Sequence, residues 1–160
     1  MKRGFTLIET LVYLGLLGIM MAGLLGSTFA ILQNTGRTQT KAMVQEEGSF
    51  LLAKLNWVMT GAGNVTQPAS GSSDDTLSLT KGGTVYTVSL NSGDLTLQGS
   101  ALNNTNVTVL APTTSPTFVF THTGSGSDPE FITTSFTLET KTPTGQIYSQ
   151  DFTTTKYLRK

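Results

Sequence analysis

The chain has 160 residues, with 10 Lys+Arg against 10 Asp+Glu and a formal net charge of zero. That length holds one ordinary domain of roughly 100–150 residues plus an appendage, and the balanced charge supplies no basic surface for direct nucleic-acid binding. The absence of cysteine excludes a disulfide framework, a thiolate metal site and a cysteine nucleophile.

At the N-terminus, Lys2 and Arg3 precede Gly4, and residues 5–32 are almost wholly apolar, with Glu9 as their one charge. The uncharged run from Thr10 to Leu32 counts 23 residues. As a helix it would span roughly 35 Å, enough for a hydrocarbon core of about 30 Å. A cleaved secretory signal is a poor fit, because its apolar region is only about 7–15 residues and ends at an A-x-A-like site. Here the run is too long, and Gly26-Ser27-Thr28 is a poor cleavage site. The basic pair predicts an N-terminus in the cytoplasm and the rest of the chain outside. Thr6 with Glu9 three positions on fits a capping box at a helix start. A carboxylate at membrane depth is costly and asks for a partner.

The order of basic residues, Gly4-Phe5-Thr6-Leu7-Ile8-Glu9 and then an apolar helix resembles the class III leader of type IV pilins and type II secretion pseudopilins. The resemblance implies cleavage between Gly4 and Phe5 by a membrane aspartyl prepilin peptidase, N-methylation of Phe5, and retention of the helix in the mature protein. It also implies that Glu9 pairs with the Phe5 amine of a neighbouring subunit during assembly. Many family members carry a proline part-way down this helix, whereas the first proline here is Pro68. Gly23 and Gly26 are softer points, since Gly weakens a helix by about 1 kcal/mol relative to Ala.

From Gln33 to Met59 the chain turns polar without a breaker. Met43, Val44, Phe50, Leu51, Leu55, Val58 and Met59 recur at helical spacing and predict a stripe packed on a sheet. Arg37, Lys41, Glu46, Glu47 and Lys54 form the solvated face, and Gly61-Ala62-Gly63-Asn64 reads as the stop. A helix over residues 5–60 would be roughly 80 Å long.

Residues 68–75 read as a loop. Strands are predicted at 76–80, 84–90, 95–98, 106–110, 117–121, 131–141 and 146–157 from β-branched and aromatic alternation. Lys81-Gly82-Gly83, Asn91-Ser92-Gly93-Asp94 and Pro143-Thr144-Gly145 supply turns. Leu77/Leu79 and Phe118/Phe120 alternate as if facing a core. The expected fold is α+β and pilin-like: a long N-terminal helix, transmembrane in its first half and amphipathic in its second, packed on a C-terminal antiparallel sheet. The expected division is a leader at 1–4, a transmembrane or filament-core helix at 5–32, an amphipathic continuation at 33–60 and an extracytoplasmic β domain at 61–160. Residues 152–159 are similar to the last strand of minor, J-type pseudopilins.

No enzyme is expected, and no cofactor or metal. His122, the single histidine, is expected at a surface or edge. Asp74-Asp75 and the loop 124–130 offer oxygen ligands without a calcium-loop spacing, and read as solvated charge. Sequon triplets begin at Asn64, Asn103 and Asn106, and a Thr/Asn-rich chain produces such triplets by chance. The resemblance implies a structural subunit of a type IV pilus-like filament. Its implied partners are the prepilin peptidase, other pilin or pseudopilin subunits, the inner-membrane assembly platform and membrane lipid. Its implied location is the cytoplasmic membrane in a single pass, then an extracellular or periplasmic filament serving pilus assembly, DNA uptake or type II secretion. The alternative is a β-domain binding module held outside by an uncleaved signal anchor.

Overall fold

The computed structural model describes residues 6–113, 117–124 and 129–158. One helix, α1, runs Leu7–Met59 over 53 residues. Among the described residues the strands are β1 (Ala62–Gln67), β2 (Ser73–Asp74), β3 (Thr76–Lys81), β4 (Thr84–Asn91) and β5 (Asp94–Leu97), then β6 (Ser100–Ala101), β7 (Thr108–Leu110), β8 (Phe120–Thr123), β9 (Phe131–Lys141) and β10 (Ile147–Tyr157). The chain divides into two compact units, Met1–Gln39 and Thr40–Lys160.

In the first unit the described residues form α1 alone. The polar side chains of this stretch are absorbed by the helix itself. Ser27 and Thr28 donate to the Leu24 carbonyl, Thr35 to Ile31 and Thr38 to Asn34, at 2.8–3.0 Å. Such back-bonding lets hydroxyls sit in an apolar segment without an unmet donor.

In the second unit α1 continues through Thr40–Met59 and buries Thr40, Val44, Gly48, Leu51, Leu55, Val58 and Met59. Steps of three and four put these on one face. The predicted stripe is there, except that Phe50 is half exposed and points elsewhere. Gly48 belongs to the buried face because the Phe152 ring of β10 fills the place of its missing side chain. The helix ends at the left-handed Gly61, as expected, but Ala62 and Gly63 already belong to β1. Lys81 Nζ closes this end by donating to the Trp57 carbonyl at 2.6 Å.

The single sheet expected is in fact two. The first has order β1-β3-β4-β5-β6; the second has order β10-β9-β8-β2, with β7 also paired to β9. All strand pairings among the described residues are antiparallel. β3 to β6 form a meander closed by two-residue turns at Gly82-Gly83, Ser92-Gly93 and Gln98-Gly99, each with positive φ at both positions. This is the backbone that a tight hairpin requires, and the first two turns carry its usual residues. The third uses Gln98, which the sequence did not signal. Its side chain is anchored by donating to the Val85 carbonyl at 2.9 Å.

One buried cluster joins helix and sheets: Leu51, Leu55 and Val58 of α1, Leu77, Leu79, Val88 and Leu95 of the first sheet, and Phe120, Ile132, Phe136 and Leu138 of the second. Leu77/Leu79 keep the predicted alternation. Phe118/Phe120 do not: Phe118 is 45% exposed, while Val119 and Phe120 are both fully buried. β8 begins only at Phe120, and the Val119 N–H is taken by the Asp75 carboxylate at 3.0 Å, so the chain bends there instead of alternating.

His122 is likewise corrected from surface to interior, at 4% exposed. β8 lies between β9 and β2, and His122 shares the inner face with Phe120. Its Nδ1 donates to the Pro68 carbonyl at 2.9 Å, and backbone bonds to Gly71 and Ser72 dock the preceding loop on β8. That loop, read as irregular over 68–75, contains β2.

Candidate membrane and assembly segment

Gly4 and Phe5, the expected cleavage junction and methylation site, lie outside the described residues, as do Lys2 and Arg3. Description begins at Thr6, whose carbonyl accepts the first helical bonds from the N–H groups of Glu9 (3.1 Å) and Thr10 (3.2 Å). The Thr10 hydroxyl also donates to it at 3.0 Å. Glu9 does not fold back in a capping box. Its carboxylate accepts a long bond, 3.5 Å, from the Tyr13 hydroxyl one turn on. The acid thus stays at the start of α1, where the helix dipole favours a negative charge.

From Leu7 onward this stretch presents apolar side chains on all sides. Leu7, Ile8, Leu11, Leu14, Ile19, Leu24, Phe29 and Leu32 are each more than 60% exposed. A window of 18 residues in α1 has a mean hydropathy of 2.0 and none of it is buried within the chain. The helix is long and apolar enough to cross a membrane. A helix greasy all round must find an apolar surrounding, and the described residues of the first unit supply none. Gly18, Ala22 and Gly26 follow one another at four-residue steps, so a second helix can approach closely along that line.

Glu9 is the one sequence-predicted site residue that the structure describes, and its side chain meets the Tyr13 hydroxyl. Among the described residues no three His, Cys, Asp or Glu side chains cluster to hold a metal ion. Asp74 and Asp75, weighed as oxygen ligands, are structural acceptors. Asp74 receives the Thr76 N–H and the Gln67 side-chain amide, and Asp75 receives the Val119 N–H. Of the sequon residues, Asn103 is buried and fully engaged. It accepts from the Leu95 N–H (2.8 Å) and donates to Asp94 (3.0 Å) and to the Val107 carbonyl (2.9 Å).

The family model for the prokaryotic N-terminal methylation motif matches residues 1–25. No curated protein and no solved structure matches the chain. The matched motif is the segment that the sequence resemblance to type IV pilins and pseudopilins rests on. It continues here into a long apolar helix ahead of antiparallel sheets. The chain thus carries the prokaryotic N-terminal methylation motif at the start of an α+β fold of pilin-like arrangement, one long helix followed by antiparallel sheets.

Proposed function

We propose that the chain is a structural subunit of a type IV pilus-like filament, a minor pilin or pseudopilin with a J-type-like last strand. In this reading prepilin peptidase removes residues 1–4 by cutting between Gly4 and Phe5, and the new Phe5 amine is methylated. Residues 5–32 then anchor the subunit in the cytoplasmic membrane with residues 61–160 outside, and residues 33–60 continue the helix into the β domain. The assembly platform draws the subunit into a filament in which apolar helices exchange lipid for one another. Glu9 pairs with the Phe5 amine of the next subunit, because a carboxylate at that depth is stable only beside a positive charge. The filament serves pilus assembly, DNA uptake or type II secretion, and the subunit is not an enzyme.

One observation carries the reading. The methylation motif over residues 1–25 runs into a helix whose described apolar side chains are exposed on every side. Mass spectrometry of the protein from its native host tests it. The expected product lacks Met1–Gly4 and carries one added methyl group on Phe5. Gly4→Glu is expected to leave the full-length chain, because a bulky charge stands where the peptidase must reach the backbone. An intact N-terminus in the natural protein would instead favour a β domain held on an uncleaved anchor.

A further inference from the structure

Four of the described strands at or near the sheet margins are unsuited to pairing with another chain. β2 and β6 have two residues each and β7 three, and β1 breaks register twice against β3. Short or bulged edges are the usual protection against unwanted strand addition. β10 has none of it. It is the outer strand of the second sheet, 11 residues long, paired to β9 without a bulge from Ile147 to Tyr157, and free of proline. Every second residue of such a strand turns its backbone N–H and C=O away from its one neighbour.

Beside the C-terminal end of this edge lies a mostly apolar cleft of about 400 Å³, lined by Thr60, Gly61, Thr155, Lys156 and Tyr157. Near the other end Lys41 of α1 sits over the Tyr148 ring, 5.9 Å from its centre. Lys156 is itself a residue of β10, one place before its end at Tyr157. The one acid on β10, Asp151, already accepts from the Thr137 hydroxyl at 2.6 Å. Tyr148 and Lys156 are eight residues apart, or roughly 26 Å along a strand.

We infer that the free edge of β10 is a docking site for an extended peptide segment of a partner protein, added as a further strand, with carboxylates near its two ends facing Lys41 and Lys156. The backbone supplies affinity and the two lysines supply direction and selectivity. The partner is acidic at its ends because the charged side chains near the two ends of β10, Lys41 and Lys156, are both positive, while Asp151 lies between them. It is extended because what the edge offers is a row of backbone groups, not an enclosed cavity.

The probe is a fluorescein-labelled nine-residue peptide, Glu-Thr-Val-Thr-Val-Thr-Val-Thr-Glu, titrated into the full chain in detergent micelles and followed by anisotropy. The expected result is saturable binding, at least tenfold tighter than for the analogue with both acids replaced by lysine. An analogue N-methylated at alternate residues should not bind. The bound chain should show slowed exchange at alternate amides of β10 only. Lys156→Glu, and separately Lys41→Glu, should invert the preference between the two peptides with an unchanged circular dichroism spectrum. No binding at millimolar peptide, equal binding of the N-methylated peptide, or equal binding of the lysine analogue would each overturn the inference. So would protection of the same amides by self-association without peptide, since the occupant would then be a second copy of the chain.

Discussion

Gly48 shows how one residue sets the seat of a strand. The Phe152 ring stacks on Phe136 with centroids 5.7 Å apart, and it lies against the bare backbone of α1 at Gly48. Glycine in a helix interior costs about 1 kcal/mol relative to alanine. An added methyl at this position would fall within the ring. The overpacking cost of about 1–3 kcal/mol should therefore outweigh the propensity gained. Gly48→Ala is expected to lower thermal stability, and the loss should shrink in a Phe152→Leu background. A double-mutant cycle on unfolding midpoints measures that coupling. A Gly48→Ala chain more stable than the parent would show that the ring is free to move aside. His122 carries the same lesson. Its type suggested an edge, but its strand is flanked on both sides and one ring nitrogen, Nδ1, has a carbonyl to bind in the interior, while Nε2 is buried among the described residues with no partner there.

Among the elements, the helix and the hairpins were the most legible. An apolar run without proline and a stripe at three-and-four spacing have no other regular home, and Gly-Gly and Ser-Gly between alternating runs demand tight turns. The short strands β1, β2 and β6 were missed because two to six residues, nearly all small or polar, carry no period of their own. They are strands only because a neighbour offers a ladder. The segment that leaves β6 for β7 is held in the same non-local way. Asn103 ties it to Asp94 and Leu95 of β5, and Glu47 of α1 accepts the Asn104 N–H at 2.7 Å. Asn103→Ala would leave the Leu95 N–H and the Val107 carbonyl unpaired in the interior. The expected cost is about 2–3 kcal/mol, read from denaturant unfolding of the purified chain. A change within a few tenths of a kcal/mol would mean that water or the backbone replaces the amide.

For the whole molecule, the two units differ in the surface they present. In the described part of Met1–Gln39 the side chains are exposed and mostly apolar, whereas Thr40–Lys160 closes its own core. A chain of this kind is at rest only with the first unit in lipid or against other helices, which is what filament assembly supplies under the proposed function. Glu9→Ala tests that exchange where it is most specific. The substitution removes a carboxylate from the start of α1 and touches no core residue. Trimming at Gly4 and the thermal stability of the second unit should be unchanged, while recovery of the subunit in sheared filaments should fall at least tenfold. Full recovery in filaments would reduce Glu9 to a local partner of Tyr13.

What the sequence by itself determined is whatever depends on neighbours along the chain. The leader-like residues 2–9, the 23 uncharged residues after Glu9, the amphipathic stripe and the hairpin turns are all local patterns of charge, period and backbone freedom. Tertiary structure alone decided that one expected sheet would be two, that His122 and Val119 would turn inward, that Gly48 would receive Phe152, and that β10 would be left as the long open edge. Those outcomes depend on which strands meet across long stretches of chain. Pairing energy is nearly the same for many partners until the shared core selects one arrangement.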